Sequence, residues 1–236
     1  MSLPRFVLVA CCSLVAARVA ATDLLLPGDY HGDEIAAEDG TTWFALVQDD
    51  HGGARLEPRR VGIESVNDPV LDAEDGATGK RVGAGQDDVL FYVRDLPGVA
   101  SGPVATAYAG RGDPLSLAGL DRGFLLFDRD AGRLRLDCSG VNDARDCVLV
   151  LSHDGRQQAL GHWSADAAAG DSQITLGSDA WPHLRWAGDI DRDGRLDLLI
   201  DMTDHYNVSA PTLFLSTQAK DGELVGAAAE LRSVGC

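Results

Sequence analysis

Positive charge is scarce in this chain. Its 20 Lys and Arg stand against 37 Asp and Glu, for a formal net charge of −17. Phosphate-rich partners would be repelled, which argues against nucleic acid and anionic membrane surfaces as partners. Long apolar runs are missing as well. After the N-terminal segment nothing approaches the roughly 20 apolar residues of a membrane span. No extended helical period appears. The usual catalytic signatures are also absent: no H-E-x-x-H, no G-x-S-x-G elbow and no phosphate-cradling glycine loop. The six histidines, His31, His51, His153, His162, His183 and His205, are scattered.

What is present points to β structure. Hydrophobic residues make up 45% of the chain, enough for a packed core, and there are 27 glycines. Short apolar runs separated by turn residues predict an all-β protein. Thr41–Val47 and Val89–Val93 read as strands, with Val61–Val66 as a strand wetted on one face. Pro97–Pro114, rich in Gly, Pro and small residues, reads as a boundary or a long crossover. It contains Arg111-Gly112-Asp113, which composition alone accounts for. Hairpins then follow. Gly123–Phe127 turns at Asp128–Gly132 into Leu134–Leu136, and Cys147–Leu151 turns at His153-Asp154-Gly155. A final strand lies around Leu224. Asp-Gly between apolar alternations is a strong hairpin signal. Ala165–Ala169 is expected to form one helical turn. The expected architecture is a set of antiparallel meander hairpins in a sandwich or partial-propeller-like domain. The regions are 1–21, 22–115 and 116–236, the last two separable or parts of one domain.

Residues 1–21 read as a secretory signal. A basic start at Met1–Arg5 precedes the apolar run Phe6–Ala17 and a small-residue cleavage site at Val19-Ala20-Ala21. An exported protein, periplasmic or secreted, is expected. The alternative is a lipoprotein anchored through Cys11, since Leu8-Val9-Ala10-Cys11 has a lipobox pattern. Cysteine usage fits export. Cys138 and Cys147 bracket a short Ser-Gly-Val-Asn-Asp segment and are expected to form a disulfide, leaving Cys236 odd.

The most informative stretch runs from Trp186 to Met202. Acids fall at Asp189, Asp191, Asp193 and Asp197, with Gly194 after the third. This D-x-D-x-D-G-x-x-D spacing suits Ca²⁺, a hard cation that takes about six to eight oxygens. Alternate carboxylates converge on one ion only if the backbone curls, and Gly tolerates the required positive φ. Arg195 would contribute its backbone carbonyl. An EF-hand closes with Glu at its twelfth position; here that residue is Ile200, so Asp197 is the closer. The flanks read as strands, which makes the stretch a strand–calcium loop–strand unit. It resembles the calcium loops of FG-GAP (VCBS-type) repeats, as in integrin α-chain propellers. The likeness covers about twenty residues and implies a calcium loop rather than a whole propeller, which needs several blades.

Two functions follow as expectations. In the first, this is an exported calcium-binding β protein with a mainly structural ion, a module for a protein or glycan ligand. In the second it is an exported hydrolase of glycans or peptides, with carboxylates near His205 as catalysts. The cluster Asp204-His205-Tyr206-Asn207 motivates the second. Trp43, Trp163, Trp181 and Trp186 could stack on sugars, although core positions suit them better.

Overall fold

Alternation along Ala54–Arg60 buries Ala54 and Leu56 while Arg55 stays exposed. That period-two pattern recurs along the chain and makes it a β protein. The computed structural model describes residues 22–49, 52–110, 115–116, 121–141, 144–166 and 175–234. Among the described residues the first half holds β1 (Asp23–Leu25), β2 (Gly28–Tyr30), β3 (Thr42–Gln48), β4 (Ala54–Arg60) and β5 (Ile63–Val66). It continues with β6 (Gly79–Val82), β7 (Val89–Arg94), β8 (Gly102–Ala109) and β9 (Leu115–Ser116). Then come β10 (Asp121–Leu126), β11 (Arg129–Val141), β12 (Ala144–His153), β13 (Arg156–Asp166) and β14 (Thr175–Leu176). The rest are β15 (His183–Asp189), β16 (Asp197–Asp201), β17 (Val208–Ser209), β18 (Pro211–Leu215), β19 (Gly226–Glu230) and β20 (Ser233–Val234). Two 3-10 turns, Gly177–Asp179 and Ser216–Gln218, are the helical pieces described.

The described pairings are antiparallel. The largest sheet runs β1-β7-β3-β4-β8-β15-β16-β18-β19, with β9 attached to β15. Its end strands β1 and β19 meet, so it is nearly closed, like a barrel. A second sheet, β10-β11-β12-β13-β14, is a meander. Every residue of β16 and β18 is buried. The reason is that both their faces are covered. Leu199 and Leu213 join Phe91 and Trp186 in the core inside the curled sheet. Leu198, Ile200 and Phe214 face the other way and pack with Leu134, Leu149 and Trp163 of the meander. The all-β antiparallel expectation holds, and β16, which carries one side of the acidic loop, is fully enclosed.

Four local expectations change. The final strand is not around Leu224, which precedes β19 at Gly226–Glu230, and β20 follows it. Pro97–Pro114 carries β8, which pairs with β4 on one side and β15 on the other. Small residues hid it, and its approach to β15 is close: a Cβ on Gly188 would lie 2.4 Å from the Ala105 carbonyl oxygen. Only glycine lets these backbones approach so closely. The chain reverses at Phe127–Asp128 rather than across Asp128–Gly132, because pairing Leu126 with Arg129 keeps Phe124, Leu126 and Leu134 on the buried face. Ala165 is a buried residue of β13, not the start of a helical turn; residues 167–169 lie outside the described residues. Cys138 and Cys147 sit directly opposite each other on β11 and β12 and form the expected disulfide, with Cα atoms 4.0 Å apart. Residues 1–21 with Cys11, the Arg111–Asp113 tripeptide and Cys236 also lie outside the described residues. Among those described, no helix is long and apolar enough to cross a membrane.

Candidate metal centre

Asp189 ends β15 and Asp197 begins β16, so strand pairing holds them at the mouth of one hairpin. Both are buried, at 2% and 0% exposure. The loop between them is anchored at each end by an apolar residue. Ile190 plugs into the inner core and Leu196 into the outer one. Between these anchors the backbone curls through Arg192 (φ 63°) and Gly194 (φ 83°). Arg192 pays for its left-handed conformation by donating a 2.8 Å hydrogen bond to the Ala100 carbonyl, which pins the loop from outside.

The carboxylates organise the curl. Asp189 Oδ2 accepts from the Gly194 amide at 3.0 Å. Asp197 accepts two amides, Ile190 to Oδ2 and Ser216 to Oδ1, each at 2.9 Å. Asp191 Oδ2 accepts from the Thr217 hydroxyl at 2.5 Å. One oxygen from each of Asp189, Asp191 and Asp197 lies within 4.8 Å of the others, a grouping that could hold a metal ion. Asp189 Oδ1 is buried and has no hydrogen-bond partner. Asp193, the fourth expected ligand, is turned elsewhere. It accepts from the Ser216 hydroxyl at 2.6 Å and from the Arg195 amide and side chain, each at 2.8 Å. Arg195 is thus held by Asp193 through its side chain as well as its backbone.

Electrostatics mark the two buried acids of that group. Burial pushes the Asp197 carboxyl up to about 8, with Asp191 and Asp193 adding to the rise against the two amides that oppose it. Burial also raises Asp189, helped by Asp193 and Asp191. Asp193 goes the other way: burial would raise it, but Ser216 and Arg195 together bring it below the usual carboxylate range. Carboxylates packed out of water without a counter-charge are costly to ionise, and a bound cation removes that cost.

Sequence spacing located the loop but missed the 3-10 turn that covers it. Ser216 and Thr217 contribute two hydroxyls and an amide from 19 to 26 residues downstream. No local pattern connects them to the acids.

The cluster around His205 has a different character. Asp201 accepts from Arg185, Ser209 and the Ala210 amide, and Asp204 pairs with Arg232. His205 bonds Asn207 through Nδ1 and stacks on Tyr206 with ring centroids 4.5 Å apart. The two acids thus serve separate partners. Trp43, Trp163 and Trp186 are buried in the cores. No protein-family model, curated protein or solved structure matches the chain.

Proposed function

We propose that this is an exported calcium-binding β protein whose ion is structural and whose remaining surface serves as a binding module. The observation that carries the reading is Asp189 Oδ1, a buried acceptor without a partner inside a group of three carboxylates. An orphaned buried oxygen costs about 1–3 kcal/mol, more when charged, and a cation satisfies it. Oxygen-only donors of mixed approach on a curled loop suit Ca²⁺ better than Mg²⁺, which demands a tight octahedron and keeps its waters. The resemblance to FG-GAP loops supports the same ion. In this reading Asp189, Asp191 and Asp197 form the primary set, the Arg195 carbonyl and water complete the shell, and Asp193 enters it only by leaving Ser216 and Arg195. The ion ties β15 to β16 at the point where both cores meet, which couples binding to folding. Export is supported by the Cys138–Cys147 disulfide and by the tripartite character of residues 1–21.

The test is a thermal melt in chelator, in calcium and in magnesium. Extracellular calcium modules bind at about 10⁻⁴–10⁻³ M. Free calcium at roughly 10–100 times the dissociation constant then adds about 1.4–2.7 kcal/mol. For a chain of this size that raises Tm by about 3–10 °C. Equal Tm in all three conditions, with no calorimetric heat on calcium addition, overturns the reading.

A further inference from the structure

A cavity of about 320 Å³ opens beside the acidic loop, bounded by Gly194–Leu196, by the β10–β11 turn and by the β12–β13 turn. That size falls within the range of small-molecule sites. Its floor is apolar, built from Leu126, Leu151 and Leu196, all buried. Its rim is basic. Arg129 comes from one turn, Arg156 from the other, and Arg195 from the loop.

The state of these arginines sets the cavity apart. Arg59, Arg81, Arg94, Arg133 and Arg185, among others, each hold a carboxylate. With 37 acids in the chain that is the expected fate of a guanidinium. Arg195 follows it through Asp193. Arg129 and Arg156 do not: among the described residues neither guanidinium has a hydrogen bond, ion pair or ring contact, a condition shared by the Arg60 side chain elsewhere. The two acids on the lining point to other partners and to water: Asp130 accepts from the Gly132 amide, and exposed Asp154 lies 3.3 Å from His153 Nε2. His153 Nδ1 is itself buried without a partner. Phe127 stands at the edge, 62% exposed, with φ 53°. A bulky side chain rarely adopts that conformation, and strain of this kind collects at functional sites.

We propose that this cavity binds an apolar carboxylate, its body on the leucine floor against Phe127 and its charge between Arg129 and Arg156. Guanidinium pairs suit carboxylates because planar donors meet planar acceptors in a bidentate fashion. The ligand is a free aliphatic or aromatic acid, or the C-terminus of a peptide ending in a large apolar residue. The shared chemistry is the same.

The experiment is an amide-resolved NMR titration of the purified protein in calcium with octanoate, N-acetyl-L-phenylalanine and the neutral N-acetyl-L-phenylalaninamide. The expected result is binding of at least one carboxylate, with shifts at residues 127–131, 153–156 and 194–196. It should be at least about tenfold tighter than the amide, the factor that one charge-assisted pair supplies. Preference for octanoate identifies a free acid, and preference for N-acetylphenylalanine a chain terminus. The double variant Arg129→Gln/Arg156→Gln should lose about tenfold or more, while Arg60→Gln binds normally. Equal binding of acid and amide, shifts centred elsewhere, no shifts up to about 10 mM, or full binding by the double variant overturns the proposal. Calcium-independent melting would sink the metal reading alone, because Arg129 and Arg156 belong to the meander and not to the acidic loop.

Discussion

The tripeptide Asp-Arg-Asp occurs at two hairpin ends, Asp128–Asp130 and Asp191–Asp193, with opposite results. At the first, Phe127 and Asp128 close a two-residue turn with both φ positive, as a type I′ hairpin requires. Asp128 and Asp130 stay exposed, where water solvates them. At the second, the hairpin opens into a curl, and the strand ends on either side of it carry buried Asp189 and Asp197. The tripeptide is therefore not what makes a metal site. The demand for a cation comes from carboxylates that strand pairing forces out of water.

The largest test of that difference is Asp197→Ala against Asp130→Ala. Removing Asp197 leaves the buried Ile190 and Ser216 amides without their acceptor. At roughly 1–3 kcal/mol for each stranded donor, the loss should be about 2–6 kcal/mol even in chelator. Asp130 serves one amide at an exposed turn, so its loss should cost less than about 1 kcal/mol. Urea unfolding measures both. Similar costs for the two variants would erase the distinction.

A third hairpin, β11–β12, is tied covalently instead. Replacing Cys138 and Cys147 by Ser should cost about 2–3 kcal/mol in the chain-entropy account of so short a loop. Calcium should still stabilise this variant, because the disulfide belongs to the meander. Loss of the calcium response on reduction would mean that the two ties are one device.

Next in size is the calcium increment itself. Asp189→Asn preserves an acceptor for the Gly194 amide while removing the charge beside the orphaned oxygen. It should eliminate the calcium-dependent gain of about 1.4–2.7 kcal/mol. Asp130→Asn should keep all of it. Melts with and without calcium on both variants give the answer, and an undiminished gain in Asp189→Asn would remove Asp189 from the ligand set.

How far the sequence disclosed this depended on the range of the interactions involved. β3 and β7 were legible because each is rich in β-branched and aromatic residues, and the β12–β13 turn because Asp-Gly is a local signal. Asp189, Asp191 and Asp197 were legible because they lie on one short loop. β8 was not, since its small residues carry no strand signal of their own and one of its partners, β15, lies far along the chain. Ser216 and Thr217 escaped for the same reason, as their link to the acids exists only after β18 has paired with β16. Arg129 and Arg156 became notable only when their neighbours showed that no acid reaches them.

The smallest expected effect has the opposite sign. Phe127 occupies the first central position of a type I′ turn, where Asn or Gly is favoured and a bulky side chain is strained. Phe127 is also mostly exposed, so little apolar burial is lost by replacing it. Phe127→Asn should therefore stabilise the protein by about 0.5–1 kcal/mol, read as a higher urea midpoint at unchanged slope. The same substitution should weaken carboxylate binding at the neighbouring cavity, because the ring forms part of its wall. A gain in stability with a loss of binding would show that this turn retains a strained residue for the sake of a ligand. A loss of stability would instead mean that Phe127 holds the turn by packing, and the strain argument for the cavity would fall with it.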